Sequence, residues 1–161
     1  MKQVIRFIDF ISAIGGIGAA ASVFILCLLI MVSVIARYAF NSPFLYVDEI
    51  ASYLMVSLVF LGLAYTLKEG GHIRVEMIVD RLRHRTRAVL GIMTAIIAML
   101  WAFFLLIGVT GIWLRYLNGG VRGYGTLQAP LWMPALPLVI GAAFLLLQVL
   151  AEIFKACLSN K

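Results

Sequence analysis

The stretch Phe10–Ala36, FISAIGGIGAAASVFILCLLIMVSVIA, decides how this chain is read. No Asp, Glu, Lys, Arg or His interrupts it. A helix rising about 1.5 Å per residue needs about 20 residues to cross the hydrocarbon core of a bilayer, and this run is longer than that. Three more charge-free runs follow: Ile50–Leu67, Ala88–Leu114 and Gly123–Ala151. All 13 Lys and Arg and all 7 Asp and Glu lie between or outside the four runs. The pattern predicts an all-α membrane protein with four transmembrane helices, at about 10–36, 48–67, 88–114 and 131–151, forming a single domain over 1–161. Short amphipathic segments at about 1–10 and 73–87 would lie along the membrane surface.

Composition excludes the other classes. With 64% hydrophobic and 12% charged residues, the chain does not fit a soluble globular protein, and no segment outside the spans is long enough for a separate soluble domain. A net charge of +6 would suggest nucleic acid in a soluble protein. Here it places basic residues beside anionic lipid headgroups, so lipid is an expected partner and nucleic acid is not. Cys27 lies in the first span and Cys157 beyond the fourth, at different depths, which argues against a disulfide. Lys2 and Arg6 ahead of an apolar run and Ala19-Ala20-Ala21 resemble a secretory signal, but the run continues to Ala36, too long for a signal core. The first span is therefore read as retained. Ion pathways and proton relays need ionisable groups inside the membrane, and these spans have none. Such a chain suits a partner of a transport machine better than its conducting part.

Charge also orients the spans. Lys2, Arg6, Lys68, Arg74, Arg81, Arg83, Arg85, Arg87, Lys155 and Lys161 fall on one side, against Arg37, Arg115 and Arg122 on the other. Basic residues concentrate on the cytoplasmic side, so both termini are expected there. Tyr38, Phe40, Tyr46, Trp113, Tyr116, Tyr124 and Trp132 cluster at the opposite ends of the spans, as interfacial aromatics do.

Along the chain, Lys2, Arg6 and Asp9 fall on one side of a helix and Val4, Ile8 and Ile11 on the other, the pattern of a surface helix or else a frayed tail. In the first span Ser12, Gly16 and Ala20, Gly15 and Ala19, and Gly18 and Ser22 repeat at four-residue spacing, which lets another helix approach closely, within the chain or from a partner. The first loop, Arg37-Tyr38-Ala39-Phe40-Asn41-Ser42-Pro43, turns at Asn-Ser-Pro and leads to Asp48-Glu49 at the start of the second span. Arg37 and the two acids each suit their helix dipole, and in a tight hairpin they are expected to pair. The second loop places Val75, Ile78, Val79 and Leu82 opposite Glu76, Asp80, Arg83 and Arg87. His72 and His84 lack the Cys or acid neighbours of a metal site, and neither lies in a span as a haem ligand would. The third loop carries Gly119, Gly120, Gly123 and Gly125 without the Gly-Lys-Ser/Thr of a phosphate loop. Pro130, Pro134 and Pro137 predict that the last regular helix starts near Pro134 or Pro137, with Trp132 as an interfacial anchor. Gln148 is the only large polar side chain inside that helix.

The loops carry a resemblance. Arg37-Tyr38-x-Phe40-Asn41-x-Pro43, then Asp48-Glu49, then Phe60-x-Gly62-x-Ala64, then Gly71-His72-Ile73-x-Val75-Glu76 resemble the small, Q-type (DctQ-like) membrane subunit of TRAP transporters, the tripartite ATP-independent periplasmic transporters. Tyr46 stands where that pattern often has Trp, Asp48 where it has Glu, and Glu76 where it has Asp. The resemblance implies a sodium-coupled importer of an organic acid, in which a periplasmic substrate-binding protein delivers to a large multi-span subunit that moves like an elevator. The small subunit would be a scaffold for the large one and help to dock the binding protein. It implies no enzymatic activity and no cofactor in this chain. The expected contact residues are Arg37, Tyr46, Asp48, Glu49, His72, Arg115, Arg122 and Trp132. The ordinary start and short polar end suit a separate subunit.

Two other readings compete. A self-contained four-span multidrug pump would carry a carboxylate within the membrane, and here every carboxylate lies outside the charge-free runs. An anchor subunit of a respiratory enzyme would be a bare one, since the spans lack haem-ligating histidines. The sequence shows no nucleophile with a base and no nucleotide loop, and the residues selecting a substrate would lie on other chains.

Overall fold

Between Lys2 and Ile14 neither proline nor glycine interrupts the chain, and the helix that starts there does not stop at the membrane surface. A computed structural model describes residues 2–41, 44–69 and 84–159. Its first helix, α1, runs Lys2–Phe40 as 39 unbroken residues, about 58 Å at the usual rise. The separate surface helix expected over 1–10 is therefore not seen: residues 2–10 are the first turns of α1. The fixing of Asp9 and Ser12 against another helix favours this. α1 ends where Asn41 takes a left-handed φ of 50°, a common way to release the last carbonyls of a helix.

Three further helices follow: α2 (Val47–Lys68), α3 (His84–Gly119) and α4 (Trp132–Ser159). All four are long and apolar enough to cross a membrane. Asp48 and Glu49 occupy the first turn of α2, where the helix dipole favours acids. The surface segment expected over 73–87 lies mostly outside the described residues, and its last residues open α3 directly. α4 begins at Trp132, ahead of both prolines expected to start it. Pro134 sits in the first turn, where its missing N–H would have had no partner, and the Met133 and Ala135 amides bond back to Pro130 and Leu131 at 3.1 and 3.2 Å. Pro137 is accommodated inside the helix.

α4 is the centre of the bundle. It packs against α1, α2 and α3, α1 packs along α2, and the main partner of α3 is α4. Successive helices run antiparallel, so both termini lie at one end with the start of α3, and the 41–47 and 120–131 connections lie at the other. Buried residues on α4 include Ala142, Leu145 and Val149, at steps of three and four as in left-handed helix packing, with Gly141 and Gln148 beside them. On α1 the same rhythm gives Ser12, Gly15, Ala19 and Ser22, resuming at Ser33 and Ala36.

These seams explain how the helices associate where lipid removes the hydrophobic drive between them. Close backbone packing and hydrogen bonds must do it instead. A Cβ at Gly15 would come within 2.8 Å of the Leu61 carbonyl oxygen, so α1 and α2 touch backbone to backbone. Gly141 makes the equivalent approach of α4 to the Phe60 carbonyl of α2. The small residues of the first span thus serve packing inside the chain. The opposite faces stay uncovered: Phe7, Ile17, Phe24 and Met31 on α1, and Ile97, Trp101, Phe104 and Ile107 on α3, are all exposed.

Candidate functional site

At the end of the bundle away from the termini, Glu49 projects from the first turn of α2. One turn on, the Tyr53 hydroxyl lies on the same face and donates to Glu49 Oε1 at 2.8 Å. The other carboxylate oxygen, Oε2, accepts from the backbone N–H of Leu127 at 3.2 Å. Leu127 belongs to the connection between α3 and α4, which closes on itself. The Gly123 N–H donates to the Ala129 carbonyl at 2.9 Å, that of Leu131 to Val121 at 3.0 Å, and that of Gln128 to Gly125 at 3.3 Å. Gly120 and Gln128 take left-handed φ values of 57° and 45° to complete the path.

Side chains would not fit where this loop crosses the carboxylate. A Cβ at Gly123 would fall 2.6 Å from Glu49 Oε1, and one at Gly125 would run into the same carboxylate. Gly125→Ala is therefore expected to displace the end of a flexible side chain rather than backbone, breaking the clasp and sparing the bundle. The loss should be that of one or two hydrogen bonds to a charged group, about 2–4 kcal/mol locally. Hydrogen exchange at the Leu127 amide would register it, with exchange in the helix centres unchanged.

The other residues singled out in the sequence are distributed around this clasp. Arg37 is exposed and makes no ion pair with Asp48 or Glu49, so the expected locking of the first hairpin by charge does not occur. The physical reason is that Glu49 turns toward the third loop while Asp48 stays exposed. Tyr46 stacks at a tilt on Phe44, with ring centres 5.6 Å apart. Arg115 and Arg122 are exposed, and Trp132 is half-buried at the first position of α4. Arg122 pairs with Pro130 through the backbone, which puts it in the clasped loop. His72 lies outside the described residues.

A second polar group gathers at the opposite end. Gln148 and Ser12 are both 0% exposed. The Ser12 hydroxyl donates to Gln148 Oε1 at 2.7 Å, and Gln148 Nε2 donates to Asp9 Oδ1 at 3.1 Å and more weakly to Glu152 Oε1 at 3.4 Å. The sequence presents Gln148 as a lone polar side chain. The signal for the group is the matching of Asp9 and Ser12, three apart on α1, with Gln148 and Glu152, four apart at the same depth on antiparallel α4. Among the described residues, no three His, Cys, Asp or Glu side chains come together as metal ligands.

Residues 26–158, which take in the clasp, match the family described as tripartite ATP-independent periplasmic transporters, DctQ component. The chain belongs to the DctQ family. It is similar to a Haemophilus influenzae protein named for a TRAP transporter small permease, with 27% identity over 57% of this chain and 55% of that one. It is also similar to the ectoine TRAP transporter small permease protein TeaB of Halomonas elongata, with 29% identity over 60% of this chain and 50% of TeaB. The chain thus spans about half the length of the curated relatives it matches. DctQ membership makes it a small permease component and a multi-pass membrane protein. Asp9 and Ser12 precede the matched residues, so the α1 side of the Gln148 group falls outside the DctQ match.

Proposed function

We propose that this chain works as one four-helix domain that is a fixed scaffold for the large, multi-span subunit of a sodium-coupled TRAP transporter importing an organic acid. Both termini lie in the cytoplasm of a bacterial inner membrane, and the Glu49 end faces the periplasm. There it helps to receive the soluble substrate-binding protein. One observation carries this reading: the polar side-chain groups sit at the two ends of the bundle, and the charge-free runs between them offer no Asp, Glu, Lys, Arg or His to carry an ion or a proton. The exposed apolar faces of α1 and α3 supply surface for the larger subunit. The basic excess on the terminal side supports the orientation.

Gentle extraction of a C-terminally tagged chain from its native membrane, followed by mass spectrometry, tests the scaffold role. A much larger multi-span protein should co-purify in stoichiometric amount. Recovery as a homodimer alone would reject the scaffold and return attention to a self-contained pump.

A further inference from the structure

We infer that Glu49 is a positioning residue for a preformed loop, 121–131, and that this loop presents Tyr124 and Arg122 to a soluble protein partner whose docking surface carries carboxylates. The inference rests on the docking reading above and names the element that would perform it.

A connection containing Gly123 and Gly125 would ordinarily sample many conformations. This one is fixed by its own backbone hydrogen bonds and by a carboxylate reaching it from α2, 78 residues away in sequence. The two glycines leave the space that the carboxylate fills, so loop and acid fit as a pair. Between them Tyr124 is 103% exposed, as open as in an extended chain. A fully exposed aromatic side chain on a tied-down loop has the character of an interface anchor: large contact area and little ordering left to lose on binding.

Charge gives the partner's chemistry. From Arg115 to Trp132 the sequence contains two Arg and no Asp or Glu. Glu49 lies against the loop through the Leu127 N–H, and Asp48 stays exposed beside it on α2. The loop's own side chains are therefore cationic, and Arg122 suits carboxylates opposite it. The path of the loop favours a protein over lipid headgroups. It leaves α3, reaches across to the first turn of α2 and returns to α4, so it crosses the end of the bundle rather than following its flank.

The test uses the assembled membrane complex in nanodiscs, the binding protein encoded with it, and trypsin, which cleaves after Arg122. Tyr124→Ala should leave assembly and thermal stability unchanged and weaken binding about tenfold or more, as loss of an aromatic anchor does. In Glu49→Gln both bonds become neutral, the amide oxygen accepting from the Leu127 N–H and Nε2 donating to the Tyr53 hydroxyl, and a bond without charge is about half as strong. Cleavage after Arg122 should accelerate severalfold and binding weaken by about 3–10-fold, with Tyr124 and Arg122 intact. Wild-type affinity in Tyr124→Ala would overturn the docking role, and unchanged cleavage in Glu49→Gln would overturn the positioning role. If both variants instead lose affinity only for phosphatidylglycerol vesicles, the loop reads headgroups and the protein partner is rejected. A wild-type complex that binds no soluble protein would sink the docking reading itself, while faster cleavage of Glu49→Gln would still establish Glu49 as the anchor.

Discussion

Gly141→Val is expected to force α2 and α4 apart and to cost the chain its folded bundle. A Cβ at this position meets the backbone carbonyl of Phe60, which cannot swing aside as a side chain could. Overpacking in a tight core costs about 1–3 kcal/mol and sometimes more. Here the obstacle is another helix axis, and valine adds two methyls beyond the first clash, so the upper end or beyond applies. Because α4 is the helix that α1, α2 and α3 share, the displacement would propagate to every seam. Thermal unfolding in detergent, followed by size exclusion, should show a large fall in Tm and loss of the monodisperse peak. Gly108→Val is the control: a Cβ there meets nothing within 4 Å, so the same change on α3 should be tolerated. Equal damage from both would mean that glycine matters for some reason other than close approach.

Gln148→Leu is expected to be the next most damaging change. It keeps an apolar side chain of similar bulk but removes the donors to Asp9 and Glu152 and the acceptor for Ser12. Hydrogen bonds between membrane helices average about 0.6 kcal/mol, so contacts alone predict a loss of under about 2 kcal/mol. The larger effect is on what remains: the buried Ser12 hydroxyl loses its partner, at about 1–3 kcal/mol. The expected total is about 2–4 kcal/mol, felt first as loosening of the N-terminal third of α1. A cycle with Ser12→Ala should show strong non-additivity, because removing the hydroxyl also removes one orphan. If Gln148→Leu changed stability by less than about 0.5 kcal/mol, the group would be incidental.

The positions of the spans were legible because charge is so costly in lipid that its absence marks each helix. Their ends were less so. Residues 1–10 have the facing of a surface helix and no proline or glycine to end a continuing one, and the choice is made by Gln148, 139 residues from Asp9. The small residues of α1 announced a close seam, and Gly15 and Ala19, four apart, do meet α2 at Leu61 and Gly62, within a buried set that steps by three and four. Glu49 was picked out for its place in a short loop, and the partner expected was the local one, Arg37. Its actual partners are Tyr53, one turn away, and Leu127, which only the packing of α2 beside α4 brings near. Local sequence shows which side chains want a partner, while the register between distant helices decides which one they get.

The peripheral place of α3 bears on how the chain is made. α1 and α2 are synthesised in succession and can close on each other at once. α3 leaves the ribosome next, before α4, the helix against which it mainly packs, exists. During that interval it has to rest in the bilayer as an independent segment, with acyl chains on every side. Its span, Met93–Gly119, is 27 residues long and contains an 18-residue window with a mean hydropathy of 2.5, enough for that solitary stage. When α4 arrives, it completes the three-helix core and captures α3 in the same step, so the fourth helix is the one that makes the first three into a single body.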